Sequence, residues 1–509
     1  MKEGSGYTRY SLGLITAFLV FRVAYIATTH YNLIADEAYF WDWARHLSYG
    51  YYDMGPMVAW IIAFFTTLLP LSEFSVRLGA PVFSALTSLL VLFLARDITK
   101  SDKLAFISVL LYNITPIASA YGIIMTYYTP QIFFMALTAF FLWKLIREGN
   151  PVWWYGIGAS LGLGLLSHHM FVFFTAEVGL FIILSGNNRK WLRSKELYLA
   201  LLIELIIVSP LIIWNLTHQL VIAKHAAYLM HRKPDFIKTF LDYLGGQAGV
   251  HTPLLFFAVL YSITVSGYRG IMKKDDTHLF LFCLSAPVLV FVAILCLGGR
   301  VEANWPVTAY ITGTISAVMI MHEKFQSVRK TMRVLIQGAF IVTVVLGFVA
   351  LMVASYPSVI SRSIGIAIPP KYDPANRLYG WKELGREVSA VVGTMPEGSF
   401  VSTNSSYGLN AQLAFYVDGN PEIYAIPKGR RSSQYDFWNG SIDVDGRDSV
   451  YINKRSIRNK IAKLFDKVEL AKHLIIYDDT GNEIRTEFYI YRCYGYKGVK
   501  DESGSKQGE

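Results

Sequence analysis

Long apolar runs separated by short polar loops pattern most of the chain. Runs of the roughly 17 to 25 residues that cross a bilayer as helices recur along it. They predict spans at 11–29, 78–95, 104–122, 129–146, 152–167, 169–185, 197–214, 252–268, 279–298, 305–321 and 333–354. The run 152–185 divides at "SHH", because one helix of that length would overshoot the hydrocarbon core. The stretch "MVAWIIAFFTTLLPL" (57–71) is shorter and reads as an interfacial or re-entrant helix. Arg22 interrupts the first run and aromatic, acidic sequence follows it, so the run reads as an uncleaved span rather than a signal peptide.

Loop charge then sets an orientation. The loops "ARDITKSDK", "KLIREGN", "GNNRKWLRSKE", "YRGIMKKDDTH" and "HEKFQSVRKTMR" are all basic, which places them and the N-terminus in the cytoplasm. The opposite set is poorer in Lys and Arg for its length: the acidic loop after the first span, "MTYYTP", "SHHM", the 215–250 loop and "GGRVEANWP". An odd number of spans puts the tail on that extracytoplasmic side as well.

After Ser355 the pattern changes. Turn-rich sequence leads into a helical "WKELGREVSAVV", strand-like "GSFVST", "SVYIN", "HLIIYDD" and "EFYIYRCYGY", and a helical "NAQLAFYV". The expected organisation is a helical membrane domain over 1–355, an extracytoplasmic α/β domain over 360–498 and a disordered tail over 499–509. No internal repeat stands out.

Composition agrees with a polytopic α-helical membrane protein. Of the 509 residues 53% are hydrophobic and 17% charged, against about 25% charged in soluble domains, and mean hydropathy is +0.37. The net charge of +10 reflects basic membrane-flanking loops rather than nucleic-acid binding. Cys283 and Cys296 fall on one predicted membrane helix, about 20 Å apart at 1.5 Å per residue, and Cys493 has no obvious partner. Three unpaired thiols are expected.

The candidate chemistry lies just beyond the first span. "LIADEAYFWDWARHLSYGYYDMGPMVAWI" (33–61) sets Asp36, Glu37, Asp42 and Asp53 among aromatic rings. A solvated acidic loop is the competing reading. The aromatic neighbours, the tight turn implied by Gly55-Pro56 and the returning apolar segment favour a partly dry site, where a carboxylate of raised pKa suits a general base.

Five motifs in order, "ADEAYFWDWARHLSYGYYDMGPMVAWI", "SEFSVRLGAPVFSALTSLL", "GLGLLSHHMFVFF", "SPLIIWNLTHQ" and "VEANWPVTAY", resemble bacterial members of glycosyltransferase family 39. That group contains the protein O-mannosyltransferases and is related to the lipid A aminoarabinose and galacturonic acid transferases. The resemblance covers about residues 10–325, with echoes at "NAQLAFYV" and "GRRSSQYDFW". It implies the membrane-embedded GT-C fold with about eleven transmembrane helices and an interfacial helix. The implied donor is a polyprenyl-phosphate-linked sugar, and transfer inverts the anomeric centre on the extracytoplasmic side. By resemblance Asp36 matches the catalytic aspartate, with Glu37 orienting the acceptor or Asp36. Asp53 matches a second acidic position that binds substrate or, if a divalent metal takes part, the metal; no cofactor is required.

The departing phosphate calls for cations. Arg77 in "FSVRLGAP" matches a recurrent family arginine and Arg300 is the second choice. Lys224, His225 and Arg232 in the 215–250 loop could grip the headgroup or acceptor, and ordinary interfacial cations are the competing reading. His168 stands where many relatives carry a lysine, and it is a candidate phosphate-binding or metal-associated group, with an ordinary interfacial histidine as the competing reading. Adjacent on a helix, His168 and His169 would point about 100° apart. Asn304 in "EANWP" completes the substrate-binding set. Two departures touch the site: Met54 and Gly55 where relatives often read "YYDHPP", and Tyr128 where many place an aspartate.

The sequence thus reads as an enzyme of a prokaryotic inner membrane. Its acceptor is an envelope lipid, lipopolysaccharide or other envelope glycan in preference to a protein. In the tail domain, Arg430 and Arg431 beside Tyr435 and Trp438 suit an anionic glycan. The competing class is a transporter or flippase of lipid-linked sugars, which would place charge near the bilayer midplane and often shows inverted repeats.

Overall fold

The structure, a computed structural model, describes residues 4–224, 236–299, 301–355, 373–441, 444–478 and 483–499. Its contacts divide the chain into two compact units. The first comprises Met1–Thr28 and Ser48–Tyr356, the second Thr29–Leu47 and Pro357–Glu509. The acidic stretch carrying Asp36, Glu37 and Asp42 therefore groups with the C-terminal residues, whereas the boundary read at 355 kept it with the membrane helices.

The first unit is helical. Seven described helices are long and apolar enough to cross a membrane: Gly6–Thr28, Glu73–Thr99, Tyr128–Glu148, Lys195–Thr217, Pro253–Met272, Asp276–Leu295 and Lys330–Val353. Met57–Leu68 and His169–Leu184 are apolar but shorter. The other expected spans fall on helices Asp102–Ile114, Trp153–Ser167 and Ala309–Ser327. Eleven full-length crossings thus exceed what length and composition give among the described residues.

Two expected spans are interrupted, each before a proline. The run 104–122 bends at Thr115, whose extended backbone precedes Pro116, and its hydroxyl caps the next short helix through the Ala118 amide. The run 279–298 breaks at Leu284–Ser285, because Pro287 has no amide to continue the ladder. Neighbouring side chains re-satisfy the freed backbone, as a bilayer demands. Glu177 accepts the Val288 amide at 3.0 Å, and the Thr312 hydroxyl donates to the Leu284 carbonyl at 2.8 Å. Within this span Cys283 consequently ends the first piece, Asp276–Cys283, and Cys296 caps the second, Ala286–Leu295, which corrects the expectation of one unbroken helix; all three cysteines are buried and free.

Arg22 has a structural explanation. Its buried guanidinium donates to Ser84 Oγ at 2.8 Å and Asn113 Oδ1 at 3.0 Å, tying together helices Gly4–Thr28, Gly79–Thr99 and Asp102–Ile114. The guanidinium lies 5.1 Å from the Phe18 ring, a member of an apolar core that includes Leu111, Val259, Val292 and Leu351. Helices Trp153–Ser167 and Lys195–Thr217 approach closely at Gly158, where any Cβ would collide with the Ala200 carbonyl.

The second unit is built on a five-stranded mixed sheet. Its strands are β1 (Phe400–Thr403), β2 (Ile423–Ala425), β3 (Ser449–Asn453), β4 (Phe465–Tyr477) and β5 (Ile484–Tyr496), in the order β2-β1-β3-β5-β4. β1 runs parallel to β2 and β3, with Val401 opposite Ile423 and Val450; β5 is antiparallel to β3 and β4. Phe400, Tyr451, Ile461, Phe465 and Tyr496 form its core. Helix Ala35–Arg45 packs on helix Gly408–Tyr416, with Trp41 edge-on to Phe415 at 4.8 Å. The entering chain is fixed by two bonds: the Leu33 amide donates to Tyr416 Oη, and Gln412 Nε2 donates to the Leu33 carbonyl, both at 2.8 Å.

Candidate active site

The helix Ala35–Arg45 begins at Ile34, which has no side chain able to cap it. Glu37 takes over: its Oε2 accepts the Ile34 amide at 3.0 Å, and the residue is fully buried. Asp36 thereby sits in the first helical turn, where the aligned peptide dipoles favour a carboxylate. Its Oδ1 accepts a 3.0 Å hydrogen bond from the Tyr407 hydroxyl.

Asp36 is half-buried at the wall of a cavity of about 960 Å³, large enough for a drug-sized ligand. Burial is the largest influence on its carboxyl and holds it above the ordinary aspartate value, with the Glu37 charge acting in the same direction. The Tyr407 bond and the Arg377 charge oppose that rise without cancelling it. A carboxylate that is ionised yet avid for a proton is what a general base requires.

Cations share this cavity. Arg377, Lys454 and Arg485 line it together with Asp36, Asp373 and Tyr407. Arg485 pairs with Asp373 at 3.0 Å and lies over the Tyr379 ring at 4.1 Å. The Lys454 ammonium rests over Trp381 at 5.1 Å and Phe488 at 5.8 Å, and burial there lowers it below the ordinary lysine value. Aromatic faces steady a cation while leaving its hydrogen bonds for another partner.

Asp42, also singled out in the sequence, is structural. It is fully buried, accepting the Tyr435 hydroxyl at 2.5 Å and Arg45 Nε at 2.9 Å. The Arg430 guanidinium, expected to meet an anionic glycan, is instead engaged internally. It pairs with Asp436 at 2.6 Å and donates to the carbonyls of Ala425 and Ile426.

In the first unit, Asp53 is half-buried in the turn where the Tyr51 amide donates to the Met54 carbonyl at 3.1 Å. Gly55 packs directly on the Leu166 carbonyl, leaving no room for a Cβ, so its departure from the family pattern is a packing requirement. Arg77 is buried and ends the short helix Glu73–Arg77. Lys224 is exposed and is the last residue described before 225–235. His225, Arg232 and Arg300 lie outside the described residues.

His168 and Asn304 are brought together by aromatic rings. The helix ends at Ser167, so His168 is extended and its ring stacks on His169 at 4.4 Å, contrary to the 100° divergence expected of helical neighbours. His168 Nδ1 accepts the Met170 amide at 3.0 Å, which leaves Nε2 as its donor. Its ring also stacks on Tyr127 and Tyr128; Tyr128 stacks on Tyr121, and Asn304 Nδ2 donates to the Tyr121 hydroxyl at 2.8 Å. Asn304 Oδ1 is buried with no hydrogen-bond partner among the described residues. Among the described residues no three His, Cys, Asp or Glu side chains gather as a metal site.

Tyr407, Arg377, Lys454 and Arg485, which line this cavity, are not among the residues that the sequence singles out. One tyrosine among 32 carries no spacing signal, and the three cations are brought together only by the folding of distant segments.

Comparison with known proteins agrees with this architecture. Residues 53–214 match the family described as Dolichyl-phosphate-mannose-protein mannosyltransferase. The lipid A galacturonosyltransferase RgtD of Rhizobium johnstonii is 23% identical over 434 residues, 84% of this chain and 87% of that protein. Apo ArnT from Cupriavidus metallidurans superposes with a TM-score of 0.64 at 10% identity, covering 96% of this chain and 98% of that one. The same protein bound to undecaprenyl phosphate gives 0.62 at 10% identity, covering 99% and 100%. The chain is a multi-pass membrane protein of the GT-C fold, and its likeness is to the glycosyltransferases of family 39.

Proposed function

We propose that this chain is a membrane glycosyltransferase that moves a sugar from a polyprenyl phosphate to an acceptor on the extracytoplasmic face of a prokaryotic inner membrane, with Asp36 as its general base. The acceptor hydroxyl attacks the anomeric carbon, its proton passes to Asp36, and the sugar–phosphate bond breaks with the electron pair leaving on the polyprenyl phosphate. A single displacement inverts the anomeric centre. The observation that carries this reading is Asp36 itself: a base raised by burial, held by Tyr407, at the wall of a roomy cavity. The likeness to a lipid A galacturonosyltransferase and to ArnT bound to undecaprenyl phosphate supports the donor class.

The acceptor belongs to the second unit. Arg377, Lys454 and Arg485 beside Asp36 suit an anionic envelope lipid or glycan, lipid A in the first place. Glu37 acts by fixing the helix start that presents Asp36, since its carboxylate is occupied by the Ile34 amide. For the departing phosphate the candidate is Arg77, with His168 and Asn304 as sugar- or phosphate-binding groups and Asp53 as a substrate or metal carboxylate.

Mass spectrometry of lipid A and other envelope glycans from a strain lacking the gene tests the reading. One glycan should lose a sugar, wild-type protein should restore it, and Asp36→Asn should not. Unchanged glycans, or full restoration by Asp36→Asn, would contradict it.

A further inference from the structure

The cavity wall carries one residue whose geometry exceeds packing. Tyr407 immediately precedes helix Gly408–Tyr416, and a Cβ on Gly408 would stand 3.2 Å from that of Ala35, so the starts of two helices are pressed together. This close approach brings the Tyr407 hydroxyl to Asp36 Oδ1. The ring is held as well: it lies 4.7 Å from Tyr39, whose hydroxyl accepts the Gln434 amide at 2.8 Å. Tyr39 in turn stacks on Tyr435, the donor to Asp42. The phenol therefore has few ways to turn aside from the carboxylate.

We propose that Tyr407 is a positioning residue for sugar transfer, holding Asp36 Oδ1 so that Oδ2 takes the acceptor's proton. This rests on the reading of Asp36 as the base. Beside burial, the largest influence, three groups act on the charge of that carboxylate: Tyr407 from the loop before its helix, Arg377 from the Pro374–Leu378 turn, and Glu37 from the same helix as Asp36. The Tyr407 bond favours the ionised form. Without it, Asp36 stays protonated to a higher pH and its ring of contacts is otherwise unchanged.

The test is Tyr407→Phe in the full-length detergent-solubilised protein, which keeps the ring and removes only the donor. Polyprenyl-phosphate-linked sugars and envelope lipids extracted from the same cells serve as probes, and released polyprenyl phosphate is the readout. The acid limb of kcat should move up by about one pH unit, a roughly tenfold loss below the limb, with acceptor KM unchanged. The loss should narrow at high pH. In an Asp36→Asn background Tyr407→Phe should add no further loss. A further loss on the Asp36→Asn background, a raised KM with a lowered melting temperature, or unchanged kinetics would overturn the proposal. Full activity in Asp36→Asn alone would instead overturn the reading of the base.

Discussion

His46 Nε2 lies 3.1 Å from Oε1 of Glu422, joining the end of the acidic helix to the segment before β2. The bond to Glu422 raises His46 above the ordinary histidine value against the effect of burial, and the same bond lowers Glu422. The histidine's contribution to stability is complete below its unfolded value of about 6.5 and disappears as pH climbs through the raised folded value. The glutamate's is complete above about 4.5 and disappears as pH falls through its depressed value. Both side chains are partly exposed, so solvent screening holds the pair to less than about 1 kcal/mol. The melting temperature should therefore fall modestly from pH 6 to pH 8, and His46→Gln should flatten that slope. An unchanged slope in the variant would remove the pair as its cause.

Asp42 should prove essential to stability rather than to chemistry. Asp42→Ala strands the buried Tyr435 hydroxyl and a guanidinium already bound to the Asn420 carbonyl. Losing hydrogen bonds to a charged group costs about 1.5 to 3 kcal/mol each. Thermal melting should report a destabilised second unit, while whatever protein remains folded turns over normally. A stable but inactive variant would place Asp42 in the reaction.

Lys454 should read the charge of the acceptor. Lys454→Met keeps much of the apolar contact with Trp381 and Phe488 but removes the cation. Acceptor KM should rise on the order of 10- to 100-fold, the value of one charge-assisted hydrogen bond, with kcat little changed. Because burial lowers Lys454, acceptor binding should also weaken on the alkaline side before an ordinary lysine would titrate. Equal KM values for a charged and a neutral acceptor lipid would argue against this role.

Arg77 should govern use of the donor. A guanidinium grips a phosphate with two parallel hydrogen bonds, whereas an ammonium offers a point charge. Arg77→Lys should keep part of the activity and Arg77→Ala very little. Titrating polyprenyl phosphate into each detergent-solubilised variant separates donor binding from helix anchoring. Reduced stability with unaltered affinity would leave Arg77 a structural residue.

Much of the architecture is legible in the sequence because bilayer thickness imposes a length on apolar runs. The helices Gly79–Thr99, Tyr128–Glu148 and Pro253–Met272 fall within a few residues of the runs that predict them. The helix interruptions at Thr115 and Ser285 are invisible to an apolar count, and the side chains that satisfy the second, Glu177 and Thr312, come from distant helices. The strands of "SVYIN" and "EFYIYRCYGY" are readable from their β-branched and aromatic residues, but the three-residue β2 is too short to register. At the site, Asp36 stands out locally. Its partner Tyr407 lies 371 residues away in sequence. Arg430 is illegible for the opposite reason: its charge suggests an exposed group, whereas Asp436 and three carbonyls occupy its guanidinium.

The rate of polyprenyl phosphate release by purified Asp36→Asn protein, set against wild type, tests the central claim most directly. Lipid-linked sugars and envelope lipids extracted from the same cells supply donor and acceptor. The amide keeps the shape and can still bond to Tyr407, but it cannot take a proton. The account predicts a loss on the order of 10²- to 10⁴-fold with an unchanged melting temperature. An acceptor that is itself an ionised phosphate would make the loss independent of pH, leaving Asp36 to act by position. Turnover near the wild-type rate in a folded Asp36→Asn protein would contradict the account.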